Sequence, residues 1–301
     1  MMNKLFVMIG LPGSGKTWLA EEYGERYDAV YCSSDAIRGE LYGDESIQGD
    51  PNKVFRIMND RAFAALKEGR NVVYDATNLV AKKRINFLRE VKRHCGNEVI
   101  PIAVVVLCPV EVCIARDAAR ERVAGERVIR RMLESYQPPH YYEGWKSIYF
   151  HYTSDEVVEL AKLSDAANDF DQKNHHHTLT LGEHMRVTAN NTPDWTLDIA
   201  AMYHDIGKLF TQSFDAYGEA HYYNHDKVGS YYWMCSDLAK DWVMSDMSAM
   251  ALYVGQLICW HMQPYFAGNK KTFTDWAAKR GMSEIMIEDI WTLHEADEEA
   301  H

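Results

Sequence analysis

A glycine-rich segment that follows an apolar run is the feature that most limits how this chain can fold. Leu5 to Ile9 is strand-like and leads into residues 10–17, which read Gly-Leu-Pro-Gly-Ser-Gly-Lys-Thr, while residues 17–26 have a helical pattern. Glycines let such a loop curl until its backbone N–H groups point inward, and the helix that follows adds the positive end of its dipole. The pattern predicts a loop that binds the phosphates of a nucleoside triphosphate.

The loop positions that are expected to contact this ligand are Gly10, Gly13, Ser14, Gly15, Lys16 and Thr17. Lys16 is expected to reach the β- and γ-phosphates, and the Thr17 hydroxyl is expected to hold Mg²⁺. A glycine turn with an accidental lysine is the alternative, which the third glycine and the placement between strand and helix disfavour. The predicted ligand is ATP, or another nucleoside triphosphate, with Mg²⁺.

The rest of the first half alternates strand-like runs with helical stretches. The further strand-like runs are Ala29 to Ser33, Asn71 to Tyr74, Ile100 to Leu107 and Ser147 to Tyr152, and the further helical stretches are 53–68 and 81–94. Continuous apolar strands between helices are typical of a parallel sheet covered on both faces. From about residue 155 the apolar positions follow helical spacing without further strand-like runs. We therefore expect an α/β domain at 1–160 and an all-α domain at 165–301, with the boundary in the polar stretch 164–169.

Charge and histidine are distributed unevenly along the chain. Residues 1–150 carry 22 Lys and Arg against 20 Asp and Glu, residues 151–301 carry 10 against 24, and 11 of the 13 histidines lie from His151 onward. An acidic, histidine-rich half suits metal binding, although a solvated acidic surface is the alternative for most of its carboxylates. The net charge of −12 disfavours non-specific binding to long duplex nucleic acid but not the local binding of a strand end.

Cysteine usage and hydropathy indicate a cytoplasmic protein. The six cysteines form no CxxC pair, and several lie in apolar runs, so buried free thiols are expected. No apolar run approaches the ~18 residues that a membrane span needs. The first residues have neither the charged region nor the cleavage site of a signal peptide. The oligomeric state leaves no signal in the sequence.

Two carboxylates and a group of arginines follow the predicted strands of the first half. Asp35 lies after the second strand, where a carboxylate can accept the proton of an attacking hydroxyl, and Arg38 one turn later can hold a substrate phosphate. A helix N-cap is the alternative role for Asp35. Asp75 ends the third strand, and its carboxylate is expected to take part in the coordination shell of Mg²⁺ or to act on the acceptor of the phosphoryl group. The arginines that crowd one later segment are Arg116, Arg120, Arg122, Arg127, Arg130 and Arg131; on a mobile lid, one or two of them would neutralise a transferring phosphoryl group.

These elements resemble the 5′-hydroxyl polynucleotide kinase branch of the P-loop kinases. The matching segments are the loop 10–17, Ser-Asp-Ala-Ile-Arg at 34–38, Asp-Ala-Thr-Asn-Leu at 75–79, and Arg116 with Arg120. The resemblance implies that Asp35 is the general base, that Arg38 contacts the phosphate of the acceptor, and that the lid arginines contact the donor phosphates. The same elements occur in small-molecule kinases, so the resemblance implies transfer to a hydroxyl more firmly than it implies a nucleic acid.

A constellation of histidines and carboxylates marks the second half. Its members are His184, His204, Asp205, His225, His261 and the late Asp297. His204 and Asp205 end an apolar helical stretch in a His-Asp-Ile-Gly-Lys segment, in which Gly207 can stop the helix. Burial of an adjacent imidazole and carboxylate is costly without a partner, and a metal ion is the usual one. Any single histidine could instead be an ordinary core or surface residue.

Residues 165–301 resemble the HD superfamily of metal-dependent phosphohydrolases through this constellation. The resemblance implies that His184, His204 and Asp205 bind one metal with a distal aspartate and that Lys208 contacts the scissile phosphate. Forms with two metals add histidines at the positions of His225 and His261. The distal aspartate is expected at Asp297, with Asp275 as the second candidate. Mixed histidine and carboxylate ligation suits one or two ions of Mn, Fe, Ni, Co or Zn.

The segment from Asp171 through the histidine triplet 175–177 to His184 is similar to HD domains attached to tRNA-end enzymes. Together the two resemblances imply a bifunctional enzyme that heals nucleic-acid ends, RNA in preference to DNA. A 5′-hydroxyl kinase would be joined to a 2′,3′-phosphatase or cyclic phosphodiesterase. The alternative is a small-molecule or nucleoside kinase fused to a nucleotide phosphohydrolase. A regulator with an ATP-responsive switch is a third interpretation, which the intact catalytic residues disfavour.

Overall fold

The computed structural model describes residues 2–173 and 178–300. The chain divides into two compact units, one made of residues 1–130 and 139–155 and the other of residues 131–138 and 156–301. The predicted boundary stretch, 164–169, lies almost entirely in a helix, and the division falls earlier, after Asp155. The histidine triplet 175–177 lies outside the described residues.

The first unit contains a five-stranded sheet in the order β2-β3-β1-β4-β5. Its strands are β1 Asn3–Ile9, β2 Ala29–Ser33, β3 Asn71–Asp75, β4 Val99–Leu107 and β5 Ser147–Tyr152. Every neighbouring pair is parallel, which confirms the predicted parallel sheet. The central strand β1 is buried from Leu5 to Ile9, as its continuous apolar sequence requires.

Helices follow each of the first four strands. Along the chain they are α1 Lys16–Arg26, α2 Ser34–Tyr42, α3 Pro51–Lys67, α4 Ala81–Cys95, α5 Val110–Ala118 and α6 Glu126–Leu133, with a 3-10 turn at Tyr141–Glu143. Helix α1 packs Leu19, Ala20 and Tyr23 on Phe6 and Val104 of the sheet. This core fixes the start of α1 at the carboxyl end of β1.

The second unit is helical, with one addition to the predicted architecture. Its helices are α7 Leu160–Asn168, α8 Leu181–Asn190, α9 Trp195–Tyr203, α10 Lys208–Thr211, α11 His225–Met234, α12 Asp237–Met244, α13 Ser248–Trp260, α14 Gln263–Ala267, α15 Lys270–Ala278 and α16 Glu284–Glu298. Strands β6 Gln212–Phe214 and β7 Ala220–Tyr222 form an antiparallel hairpin. The expectation that this half has no strands was wrong, because strands of three residues are too short to give a period-two pattern.

The core of this unit is built from buried helices. Residues of α11 and α13 such as Val228, Tyr231, Val254 and Leu257 are almost fully buried. Within the described ranges, no helix combines the length and apolar character that crossing a membrane requires. All six cysteines are free thiols, and only Cys95 is not buried.

Candidate functional sites: a phosphate loop and a histidine-carboxylate centre

The glycine-rich loop joins β1 to α1 and depends on glycine at Gly13. This residue has φ of +79°, in the left-handed region, and a Cβ atom built there would lie 2.2 Å from the carbonyl oxygen of Cys113. Any larger residue would both strain the backbone and collide with the main chain of α5. The local geometry therefore agrees with the phosphate-binding loop that the sequence predicts.

Lys16 lies inside this loop and is almost fully buried. Its Nζ donates a hydrogen bond to the Leu11 carbonyl oxygen at 2.7 Å. Burial lowers the pKa of Lys16, while Asp75 and Asp35 act in the opposite direction. The lysine thus lies within electrostatic reach of both predicted carboxylates. The phosphates of a bound nucleotide would add negative charge, which favours the protonated lysine and offsets the effect of burial.

Asp75 lies beside the loop at the end of β3. The Thr17 hydroxyl donates to Asp75 Oδ2 at 3.3 Å, and the Tyr31 hydroxyl donates to the same oxygen at 2.8 Å. Burial and the nearby Asp75 raise the pKa of Tyr31, so its hydroxyl stays a donor. A threonine hydroxyl next to a buried carboxylate is the pair that holds Mg²⁺ in P-loop proteins. Tyr31 was not predicted, because no local pattern links it to Asp75.

Asp35 lies in the first turn of α2, and its carboxylate is not used as a cap. The N-cap is Ser33, whose hydroxyl accepts from the backbone N–H groups of Asp35 and Ala36. The carboxylate of Asp35 is half-exposed and pairs with Arg38, whose Nη1 lies 2.5 Å from Oδ1. Arg122 approaches the same carboxylate at 3.4 Å. The carboxylate therefore faces two cations, as a base beside a phosphate-binding arginine would.

The predicted lid arginines have different positions. Arg116 donates to the Thr153 carbonyl oxygen at 2.7 Å, and the Thr153 hydroxyl donates to the Ser14 carbonyl oxygen at 2.6 Å. Arg116 therefore supports the loop from beside it. Arg120 lies close enough to Lys16 to lower its pKa.

The segment between these arginines and α6 is shaped by Asp117. Its buried carboxylate accepts from the backbone N–H groups of Ala124 and Gly125, at 3.1 and 2.8 Å. This turn carries Arg122, the arginine that meets Asp35. The sequence identified Arg122 only as one of six clustered arginines, and it did not identify Thr153.

The second unit brings all six predicted metal ligands together. His184 comes from α8, His204 and Asp205 follow α9, His225 begins α11, His261 follows α13, and Asp297 lies in α16. All six are buried. Asp275 lies in α15 and is not part of either histidine-carboxylate group found among the described residues. The structure thus places Asp297, the first candidate, at the centre.

Five of the six side chains form two overlapping groups. His184, His204 and Asp297 form one, in which His184 Nε2 lies 2.9 Å and His204 Nε2 lies 3.4 Å from Asp297 Oδ1. His204, Asp205 and His261 form the other, and in each group the ligand atoms lie within 4.8 Å of one another. His225 Nε2 lies 3.0 Å from Asp205 Oδ1. Asp205 therefore uses one oxygen toward His184 and His204 and the other toward His225 and His261.

Backbone carbonyls determine the orientation of three of these histidines. The Nδ1 atoms of His204, His225 and His261 each lie 2.7 Å from the carbonyl oxygen three residues earlier, at Ala201, Tyr222 and Ile258. A carbonyl oxygen can only accept, so Nδ1 carries the proton and Nε2 points its lone pair into the centre. This is the arrangement that metal-ligating histidines adopt.

The side chains of the centre could hold a cation. His204 Nε2 is buried between two carboxylates, 3.3 Å from Asp205 Oδ2 and 3.4 Å from Asp297 Oδ1, and His225 Nε2 lies 3.3 Å from His261 Nε2. Burial opposes protonation of His204, but Asp205 and Asp297 outweigh it and raise its pKa to about 10. A proton or a metal ion can supply this charge, and the mixed nitrogen and oxygen donors fit a transition metal.

Gly207 has a different role from the predicted helix stop. Its φ is −64°, in the right-handed region, so it does not end the helix in the left-handed form. A Cβ atom at Gly207 would lie 2.0 Å from the His225 carbonyl oxygen. The glycine therefore allows the start of α11 to approach closely, which brings His225 to Asp205.

Lys208 and Tyr265 complete the polar surroundings of the centre. Lys208 is buried, and its Nζ lies 2.6 Å from Asp205 Oδ2 and 2.9 Å from Gln172 Oε1. The Tyr265 hydroxyl donates to Asp297 Oδ2 at 2.9 Å. The sequence assigned no site role to Tyr265 or Gln172, since each contacts its partner across more than 30 residues of chain.

A cavity of about 700 Å³ opens onto the centre. Asp205, Lys208, His225 and Asp297 line its polar part. This volume lies within the range of small-molecule sites. The arrangement can therefore hold a cation and, beside Lys208, an anionic ligand.

The comparisons with known proteins match part of the chain. The family model described as an AAA domain matches residues 5–139, less than half of the chain. No curated protein matches the chain.

Several solved structures are similar to part of the chain. A putative kinase from Chloroflexus aurantiacus J-10-fl is 13% identical, with a TM-score of 0.43 over 52% of this chain and 90% of that one. A chain of the Pnkp1/Rnl/Hen1 RNA repair complex is 22% identical, with a TM-score of 0.37 over 43% of this chain and 42% of that one. A fungal RNA kinase is 18% identical, with a TM-score of 0.38 over 50% of this chain and 38% of that one. This chain thus spans less than half the length of both RNA-related structures. The family match makes residues 5–139 similar to AAA domains, and the geometry of the glycine-rich loop agrees with a P-loop that suits ATP and Mg²⁺ as ligands.

Proposed function

We propose that the chain is a bifunctional enzyme that prepares nucleic-acid ends, with RNA as the favoured substrate. The P-loop unit would phosphorylate a 5′-hydroxyl, and the helical unit would hydrolyse a 2′,3′-cyclic or terminal phosphate. The observation that carries this proposal is that one chain combines a P-loop facing Asp35 and Arg38 with a buried histidine-carboxylate centre beside Lys208. Both units are equipped for phosphoryl chemistry, and together they would convert both ends of a break.

For the kinase, Asp35 would accept the proton of the acceptor hydroxyl while that oxygen attacks the γ-phosphorus. The bond to the β-phosphate oxygen breaks, and ADP leaves. Lys16 would hold the β- and γ-phosphates, with Thr17 and Asp75 holding Mg²⁺, which neutralises the phosphate charge when bound. Arg38 would bind a phosphate of the acceptor. Arg120 and Arg122, with Arg116 beside the loop, would balance charge on the transferring group.

For the hydrolase, His184, His204, Asp205 and Asp297 would hold one metal ion, and His225 and His261 would take part in a second. When bound, the metal supplies Lewis-acid chemistry that activates water and polarises the phosphoryl group. Lys208 would position the scissile phosphate and balance its charge. Tyr265 would keep Asp297 oriented through its hydrogen bond to the second carboxylate oxygen. The buried surroundings would limit access of bulk water.

Two labelled RNA oligonucleotides test this proposal, one with a 5′-hydroxyl and one with a 2′,3′-cyclic phosphate. The full chain is incubated with ATP and Mg²⁺, then with Mn²⁺ or Ni²⁺, and the end groups are scored. We expect both ends to be converted, with Asp35→Asn removing only the first activity and Asp205→Asn only the second. Asp60→Asn, an exposed change in α3, is the matched control. If neither end changes, the proposal is wrong.

The net charge of −12 favours a second candidate function, in which the substrates of both units are small molecules. In that case the kinase would act on a nucleoside or another small hydroxyl compound, and the hydrolase on a free nucleotide. Substituting adenosine and mononucleotides for the oligonucleotides distinguishes the two candidates. Turnover of the small compounds without turnover of the strands would favour the second.

A further inference from the structure

The mouth of the metal-site cavity is aromatic, although its base is ionic. Tyr222, Tyr223, Tyr265 and Phe266 all line it, together with Met262. Tyr223 and Phe266 are 67% and 75% exposed, which is unusual for large aromatic side chains at a polar centre. Exposed aromatic rings that line a cavity mark a binding surface more often than a structural one.

Two lysines also line this cavity. Lys208 has its Nζ 5.4 Å from the centre of the Tyr222 ring. Lys227 also lines the cavity, beside Asn224 and the buried Asp226. A ligand that fills this cavity therefore meets positive charge near the metal ligands and flat apolar surface near the opening.

The hairpin β6–β7 fixes part of this surface. Tyr222 ends β7, and its hydroxyl accepts from Gln212 Nε2 at 2.8 Å and donates to the Gln172 carbonyl oxygen. The Tyr223 ring stacks near His221, with an interplanar angle of 13° and 5.6 Å between ring centres. Tyr223 is thus held beside the cavity and keeps most of its surface free.

We infer that Tyr223 and Phe266 form a stacking surface for the base of a nucleoside phosphoester whose phosphate is hydrolysed at the metal centre. A nucleobase is flat, apolar on its faces and joined through ribose to a phosphate, so it matches the order of aromatic, cationic and metal-binding groups in the cavity. Base stacking on aromatic side chains tolerates any base. The inference rests on the proposed hydrolase function and names the part of the substrate that the cavity recognises.

The test compares a substrate that has a base with one that lacks it. Adenosine 2′,3′-cyclic phosphate and glycerol 1,2-cyclic phosphate carry the same cyclic phosphodiester. The variants are Tyr223→Ala and Phe266→Ala. The control is Tyr217→Ala, which alters an aromatic side chain that is 95% exposed but does not line the cavity. Removal of either ring is expected to lower kcat/KM for the adenosine compound by roughly 5- to 150-fold. The value of kcat/KM for the glycerol compound should not change. Equal losses on both substrates, or none on either, would overturn the inference.

A binding measurement separates this inference from the failure of the hydrolase proposal. Mn²⁺-loaded protein is titrated calorimetrically with adenosine 3′-phosphate and with glycerol 2-phosphate. Weaker binding of the nucleotide alone in Tyr223→Ala and Phe266→Ala supports the stacking surface even if no ester is cleaved. Unchanged nucleotide binding in both variants rejects it. Repeating the hydrolysis with a tetranucleotide that ends in a cyclic phosphate shows whether the base belongs to a strand end or to a free nucleotide.

Discussion

Tyr265 is not a metal ligand, yet it can control the metal centre through one hydrogen bond. Its hydroxyl holds Asp297 Oδ2 at 2.9 Å, while Asp297 Oδ1 faces His184 and His204. We predict that Tyr265→Phe weakens metal binding by about 10- to 100-fold, the usual cost of losing such an outer contact. Competition with a chelating dye measures the affinity. Tyr217→Phe, on an exposed turn, is the control, and an equal effect in both variants would contradict the prediction.

His140 gives the first unit a sensitivity to acid. Its Nδ1 accepts from the Tyr142 backbone N–H at 3.1 Å, and burial lowers its pKa to about 4. Since this pKa lies below the ordinary value of 6.5, the neutral form stabilises the fold. That contribution, at most about 3 kcal/mol, is complete above pH 6.5 and is lost as the pH falls through 4.

We therefore predict that His140→Asn reduces the loss of stability between pH 6.5 and pH 4. Asparagine retains an acceptor but does not titrate in this range. Urea denaturation at several pH values measures how steeply the free energy of unfolding changes with pH. His94→Asn is the control because His94 lies on the exposed end of α4. A wild-type slope in His140→Asn would show that other groups dominate.

At the scale of elements, the phosphate loop depends on how closely it approaches α5. Gly13 and Gly69 have similar φ values, +79° and +83°, but a Cβ atom meets the Cys113 main chain only at Gly13. We predict that Gly69→Ala lowers the free energy of unfolding by about 1–2 kcal/mol, the cost of a left-handed alanine. Gly13→Ala should cost more and should also weaken ATP binding at least tenfold. Denaturation and nucleotide titration of both variants test this, and equal results would contradict it.

The elements that sequence could predict are those with a long local pattern. The apolar runs of β1 and β4 span enough residues to identify buried parallel strands, whereas β6 and β7 have three residues each. The candidate ligands His204 and Asp205 could be identified in the same way, because they stand in a local sequence motif. The contacts of Thr153 with Ser14 and of Tyr265 with Asp297 join distant positions, so no local pattern encodes them.

At the scale of the whole molecule, each unit should be stabilised by its own ligand. A ligand that binds only the folded state raises the free energy of unfolding by about 2.7 kcal/mol when its concentration is 100 times its Kd. We predict that ATP with Mg²⁺ raises the midpoint temperature of one thermal transition and that Mn²⁺ raises that of another. EDTA should reverse the effect of Mn²⁺. Lys16→Ala should abolish the ATP shift alone, and Asp205→Asn the Mn²⁺ shift alone. Scanning calorimetry of the three proteins measures this; loss of both shifts in either variant would contradict it.

The pairing of three histidines with backbone carbonyls also bears on how the centre tolerates mutation. Side-chain partners that orient a ligand can be lost by a single substitution, whereas a carbonyl oxygen is present whatever residue occupies the position. Ala201, Tyr222 and Ile258 can therefore change identity without removing the acceptor. The orientation of these imidazoles therefore depends on the backbone path at the ends of α9 and α13 and in the turn before α11, and a substitution at these three positions preserves it if the new side chain still fits its surroundings.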